Sequence, residues 1–292
     1  MTELLVEEPA ARTGEELPPR RRSRWRALAH GRGLAGVVLV GLVILAGLLA
    51  PALTRYAPQA QLPGLNLVGP STVHWFGTDE LNRDLFSRVL YGIRVDLLVA
   101  FAAVPAGALL GAALGVLSTV HTALDVVLQR AFDVLLAFPA LILAIGLAAV
   151  LGPGVTAIGI VVVAIEIPVF GRLSRAEVVR AREAQFVAAA EAIGARLWWI
   201  LRTHVVPNAV EPLIVQLALS MSVAVFVEGA MSFLGIGVVA PNPSLGGILS
   251  SSLNYLDANP MFAVGPLLVI AVLVLGFQLI AQAIGAARRG QA

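Results

Sequence analysis

Cysteine and lysine are both missing from this chain of 292 residues. Without cysteine there can be no disulfide, no thiolate-held zinc and no thiol nucleophile. Without lysine the chain cannot carry an ordinary phosphate-cradling Walker A loop or form a lysine Schiff base. All 20 basic residues are arginine, which, beside so much Ala, Gly and Val, reflects a GC-rich coding bias. Charge is scarce too: Asp, Glu, Lys and Arg make up 13% of the chain, about half the usual quarter. The four histidines, His30, His74, His121 and His204, are scattered and lack metal-ligand spacing. What is abundant is apolar surface, at 58% of residues with a mean hydropathy of +0.88. Such a chain cannot cover a water-facing globule, and it is too apolar for disorder. It reads as a polytopic membrane protein.

A spanning helix needs about 20 mostly apolar residues. Uncharged stretches locate six spans, 34–53, 97–120, 133–151, 155–172, 209–235 and 261–285, of which a few hold an acid. Gly152-Pro153-Gly154 divides the third from the fourth as a strong turn signal. The first run is too long for the core of a cleaved signal and reads as an anchor. Arginines mark the inner side of a membrane. With the N-terminus inside, sixteen arginines fall inside. Only Arg55, Arg83, Arg88 and Arg94 fall outside. Both termini are therefore expected in the cytoplasm. The organisation reads as a tail (1–33), an anchor helix (34–53), an extracytoplasmic loop (54–95), a transmembrane core (96–287) with a cytoplasmic loop (173–207), and a short tail (288–292). Residues 1–30 mix five glutamates with an arginine cluster. They read as a disordered tail whose basic half serves topology or touches anionic lipid.

Within the spans, Gly107, Gly111 and Gly115 recur every four residues, the spacing that lets two helices approach closely in lipid. Pro105, Pro139 and Pro168 lie in or near spans, where neighbours must satisfy the freed carbonyls. Glu166 and Glu228 fall inside spans, and Asp133 at the start of one. Intramembrane acids of this kind are functional candidates. Glu228 is expected to pair with a neighbouring helix, and Glu166 to see the pathway or an interface. No run of acids and histidines suggests a proton pump.

The loop between spans four and five is the most informative stretch. Phe186, Val187, Ala190 and Ile193 fall at helical spacing, Gly194 can end that helix, and Pro207 marks the return to the bilayer. A free loop has no need of an apolar helix face, so this one is expected to dock.

The same loop resembles the EAA loop of permease subunits from bacterial ABC importers. Ala188, Ala189, Ala190, Gly194, His204, Val206 and Pro207 occupy the motif's places. Ala188 stands where the motif has its acid, and His204 where it has its first apolar residue. His204-Val205-Val206-Pro207-Asn208 is close to the form of the dipeptide, oligopeptide and nickel branch. Gly77-Thr78-Asp79, Arg83-Asp84 and Arg88 are similar to that branch's outer signature, with Asn82 in place of the usual glycine. Asp125, Arg130, Asp133 and Phe138-Pro139 resemble its pattern between spans two and three. Ser232 to Gly237 resembles its segment after span five. The C-terminal end, Gly285 to Arg289, lacks the common acidic ending. The likeness covers roughly residues 30–287 and is to the second, C-type permease of a pair.

The resemblance implies an all-α integral membrane chain with the type I ABC importer permease fold. It implies half of a translocation pathway for peptides or a related small solute. The chain itself would not be catalytic and would bind no cofactor. ATP and Mg would belong to two ATPase subunits docked on the loop around Phe186, Ala190 and Gly194. The other implied partners are a second, unlike permease, an extracytoplasmic substrate-binding protein and membrane lipid, with no nucleic acid. The location is the bacterial inner membrane. Two other readings are an ion-coupled transporter or channel, which calls for inverted repeats and a midplane ion site, and an integral membrane enzyme, which calls for clustered acids, histidines or a nucleophile. Neither set of features is visible.

Overall fold

The computed structural model describes residues 28–183 and 206–288. Among them the architecture is helical, with no strand beyond two isolated bridges, Gln61 with Arg83 and Thr78 with Asp84. The helices are α1 (Gly31–Leu48), α2 (Ala50–Leu53), α3 (Leu85–Leu98), α4 (Val104–Ser118), α5 (Thr122–Ala137), α6 (Ala140–Leu151), α7 (Val155–Arg182), α8 (Val206–Phe233), α9 (Leu245–Ser252) and α10 (Met261–Arg288). A π turn, Val99–Ala103, joins α3 to α4. Five continuous helical segments are long and apolar enough to span a membrane, and α5 with α6 makes a sixth if that bent pair counts as one.

The bundle has two ends. At the tail end lie the start of α1 and the close of α10, brought together where Gly36 meets Gly276. At the opposite, cap end lie residues 54–84 and 234–260, in contact through Asn259, whose Nδ2 donates to the Phe76 carbonyl at 3.0 Å.

Two expected spans differ from what is observed. The second was placed at 97–120, with residues 54–95 as loop. Instead the helix starts at Leu85, where Asp84 caps it by accepting from the Ser87 N–H at 2.8 Å. With the π turn and α4 it runs 34 residues, about 51 Å at 1.5 Å per residue. Arg88, Arg94 and Asp96 made this stretch look extramembranous, yet both arginines are partnered inside the bundle and Asp96 is buried. Arg94, for example, donates to the carbonyls of Gly47 and Leu48 at the close of α1, at 2.9 and 3.3 Å. The third span, placed at 133–151, is broken at Phe138-Pro139, where α5 and α6 meet at 94°. A residue before proline is driven to extended backbone, and Phe138 adopts it with φ −86° and ψ 132°.

The Gly107, Gly111 and Gly115 stripe packs on α7. A Cβ at Gly115 would lie 2.1 Å from the Gly171 carbonyl, and one at Gly111 2.4 Å from that of Ile167. On the far side of α7, Gly171 receives the ring of Phe132 from α5. Small residues thus let α4, α7 and α5 stack in three layers, as lipid-embedded helices do where packing rather than hydrophobicity drives association.

Candidate functional site

The outer signature folds into one buried knot at the cap end. Asp79 is fully buried. Its Oδ1 accepts from the N–H groups of Leu81 and Arg83, at 2.9 and 2.8 Å. Its Oδ2 accepts from Arg83 Nε at 2.7 Å and lies 3.4 Å from Arg88 Nε. Arg88 also donates to the carbonyls of Pro58 and Pro241, at 3.1 and 3.4 Å. One guanidinium therefore ties together the 54–84 loop, α3 and the turn before α9. Asp84 caps α3 with one oxygen and meets His74 Nδ1 with the other at 2.9 Å. The His74 ring stacks on Tyr56. Thr78 is buried, donates to the Leu65 carbonyl and accepts from the Val68 N–H. Gly77 has φ +78°, and a Cβ there would meet the Val68 carbonyl at 2.2 Å. Asn82, where the branch has glycine, sits at φ +61°. Asparagine is among the few side chains that tolerate this left-handed region, so the departure preserves the turn.

All of these contacts are internal, so the knot works as a clamp on the start of α3. Replacing Asp84 with alanine removes both the helix cap and the His74 partner. A cap alone contributes about 1 kcal/mol. The expected outcome, read by quantitative membrane immunoblotting and uptake titration, is less assembled protein with little change in apparent solute affinity.

At the tail end a second set of pairs holds the long α7 where it leaves the bundle. Arg175 makes a two-pronged pair with Asp125 of α5, at 2.6 and 2.5 Å. Arg172 pairs with Asp133, which Arg130 also approaches at 3.3 Å. Arg182 donates to the carbonyl and hydroxyl of Thr119, just past α4, at 3.0 and 3.2 Å. The arginines that signalled topology in the sequence thus also fix the last turns of α7. Phe186, Ala188, Ala189, Ala190, Gly194 and His204 lie outside the described residues. Pro207 and Asn208 lie on the first turn described for α8.

Glu166 is buried where α4, α7 and α8 meet, accepting from Ser220 Oγ at 2.6 Å, with its Cβ in the space beside Gly107. It faces the inside of its own bundle. Glu228 is fully buried and accepts from Ser232 Oγ at 2.8 Å. Its carboxyl faces that of Asp96 on α3. Asp96 escaped notice in the sequence because it stood at the edge of an expected loop. An apolar cleft of about 250 Å³ opens between α4, α7 and α8, lined among others by Pro105, Ala112, Phe170 and Leu213. It offers van der Waals surface and no ionisable group. Among the described residues no three His, Asp or Glu side chains cluster to hold a metal ion.

Residues 103–289 match the family described as binding-protein-dependent transport system inner membrane component. The chain belongs to that family. It is accordingly a transport permease, and the match takes in α4 through α10. A dipeptide transport system permease of Alkalihalophilus pseudofirmus is 38% identical over 248 residues, covering 85% of this chain and 82% of that protein. A probable D,D-dipeptide permease of Escherichia coli is 32% identical, covering 87% and 86%. A di/tripeptide permease of Pseudomonas aeruginosa is 33% identical, covering 93% and 92%. Among solved structures, a chain of the MetNI methionine ABC transporter in an inward-facing conformation aligns with a TM-score of 0.55 at 18% identity. It covers 70% of this chain and 96% of that one. That likeness is one of fold, the type I importer permease.

Proposed function

We propose that this permease forms one half of a peptide-import pathway, paired with a second, unlike permease. Two ATPase subunits drive it and an extracytoplasmic binding protein supplies it. The peptide reading is supported by relatives named for dipeptide and di/tripeptide transport, which match over more than three quarters of both chains. The cap end faces outward, in keeping with the excess of arginine at the tail end. Driving force enters through the loop expected at 173–207, of which residues 173–182 belong to α7 and residues 183–205 join α7 to α8. The observation that carries this reading is how that loop is mounted. Before it, α7 is pinned by Arg172, Arg175 and Arg182 to α5 and to the close of α4. After it, the chain runs directly into the long α8. Motion of a docked loop is therefore handed to two spanning helices as rigid-body displacement, the bistable type of transition that packed helices support. ATP and Mg belong to the ATPase partners in this scheme.

Bulky or charged residues in the loop test it. Ala190→Trp and Gly194→Asp are expected to release the ATPase subunits on co-purification, or to uncouple hydrolysis from uptake, while pairing with the partner permease persists. Full ATPase association with full uptake in both variants would remove this loop as the coupling element.

A further inference from the structure

Asp96 and Glu228 have no solvent-exposed surface at all. They belong to different helices: Asp96 to α3, three residues before the π turn, and Glu228 to α8, five residues before its last residue, Phe233. Their carboxyl groups are direct neighbours. Glu228 Oε1 accepts from Ser232 Oγ. Glu228 Oε2 and both oxygens of Asp96 meet no N–H or O–H donor among the described residues. Neighbouring Gly47 packs on Ile93 and Leu97, which sets the pair level with the last turns of α1, in the cap-end half of the membrane.

Among the described residues no cation balances the pair. Arg94, the nearest arginine along α3, is turned to the carbonyls of Gly47 and Leu48 and lies over the Tyr91 ring. Of the other elements around α3 and α8, α1 carries only Arg32 at its opposite end. The π turn, α4, α6 and α9 carry no ionisable residue, and α10 none before Arg288. Asp257, in the loop before α10, is exposed. On α7 the nearest acid is Glu166, which is engaged with Ser220. Ser220 sits eight residues from Glu228, about 12 Å along α8. Glu211 lies further still toward the tail end.

Two carboxylates without a donor between them or a counter-ion repel strongly in a low-dielectric interior. A proton bound by one carboxyl supplies the missing donor and turns the repulsion into an O–H···O bond. We propose that Asp96 and Glu228 form a proton-binding site, whose proton latches α3 to the cap-end turns of α8. The latch has a reach beyond these two helices. Ser232 Oγ, which donates to Glu228, also accepts the Val238 N–H at 3.1 Å, so the turn that leaves α8 is held in the same network. One end of α8 thus follows the segment that joins it to α7, and the other is held to α3 by the bound proton. That consequence for transport rests on the importer reading, whereas the proton site itself does not.

Infrared spectroscopy of the purified complex in lipid tests the site directly. Subtracting the spectrum of the Asp96→Asn/Glu228→Gln variant from that of the wild type cancels Glu166. The difference is expected to contain the carbonyl stretch of a protonated carboxyl, shifted in D2O, at about pH 7. Asp96→Asn alone, should the double variant fail to assemble, is expected to remove or displace the same band. Absence of the band, or a carboxylate signal that responds to added sodium or calcium, overturns the proton site. Uptake tests the latch. Asp96→Asn still donates a hydrogen bond to Glu228 and is expected to keep uptake within about twofold of wild type. Asp96→Ala, which leaves Glu228 alone, is expected to lose about tenfold or more. Equal uptake in the two variants overturns the latch.

Discussion

Gly115→Val is expected to all but abolish assembled protein in the membrane. The new Cβ would sit 2.1 Å from both the Gly171 carbonyl and Ser174 Oγ. Neither helix can yield cheaply. Behind Gly171 lies the Phe132 ring, and the single O–H of Ser174 is already shared between the Ala112 and Gly171 carbonyls. Ordinary overpacking costs about 1–3 kcal/mol, and here the obstacle is backbone, so at least about 3 kcal/mol is expected. That lowers the folded fraction relative to the unfolded by more than about a hundredfold. Gly41→Val is the matched control, because a Cβ at Gly41 meets nothing within 4 Å. Size-exclusion profiles of a fluorescent fusion read both variants. Normal monodisperse yield for Gly115→Val would show that α4 and α7 do not pack through this stripe.

Asp79→Ala is the second large effect. It strips Arg83 and Arg88, both nearly buried, of the carboxylate they share. It also frees the N–H groups of Leu81 and Arg83 that its Oδ1 accepts. Removing one partner of a buried ion pair costs about 3–5 kcal/mol, because the remaining charge stays buried and unpaired. Since Arg88 also joins the 54–84 loop to the turn before α9, the damage should start at the cap end. Protease cleavage within residues 54–84 is expected to appear at temperatures where the wild type resists, before the spanning helices unfold. Unaltered protection of that loop would show that the knot is not held by its central carboxylate.

Much of the cap-end knot was legible in the sequence because its parts lie within twelve residues of one another, Gly77 to Arg88, in a recognisable signature. Local hydrogen bonding then decides their geometry, and even the Asn82 departure is intelligible from its φ. The helix-packing role of Gly107, Gly111 and Gly115 was legible too, through spacing alone. Their partner on α7 was not, since nothing in a four-residue repeat names the opposing helix. The start of α3 was misjudged for a physical reason. Charge in sequence suggests exposure, but Arg94 is satisfied by carbonyls left free where α1 gives way to α2, and Asp96 is buried facing a carboxyl 132 positions away. The break between α5 and α6 hid within an apolar run, where hydropathy cannot register a change of direction. Asp125 and Asp133 gave no sign that they would meet Arg175 and Arg172, because such pairs form only once α5 lies along α7.

The central claim is that this chain imports peptide only as part of an ATP-driven assembly. Its most direct test is uptake of a labelled dipeptide into sealed vesicles holding this permease, its partner permease, the two ATPase subunits with ATP and Mg, and the binding protein. Uptake that stops when ATP, the ATPase subunits or the binding protein is withheld is the predicted result. Dipeptide uptake that persists without ATPase subunits and follows an imposed proton or sodium gradient would contradict it.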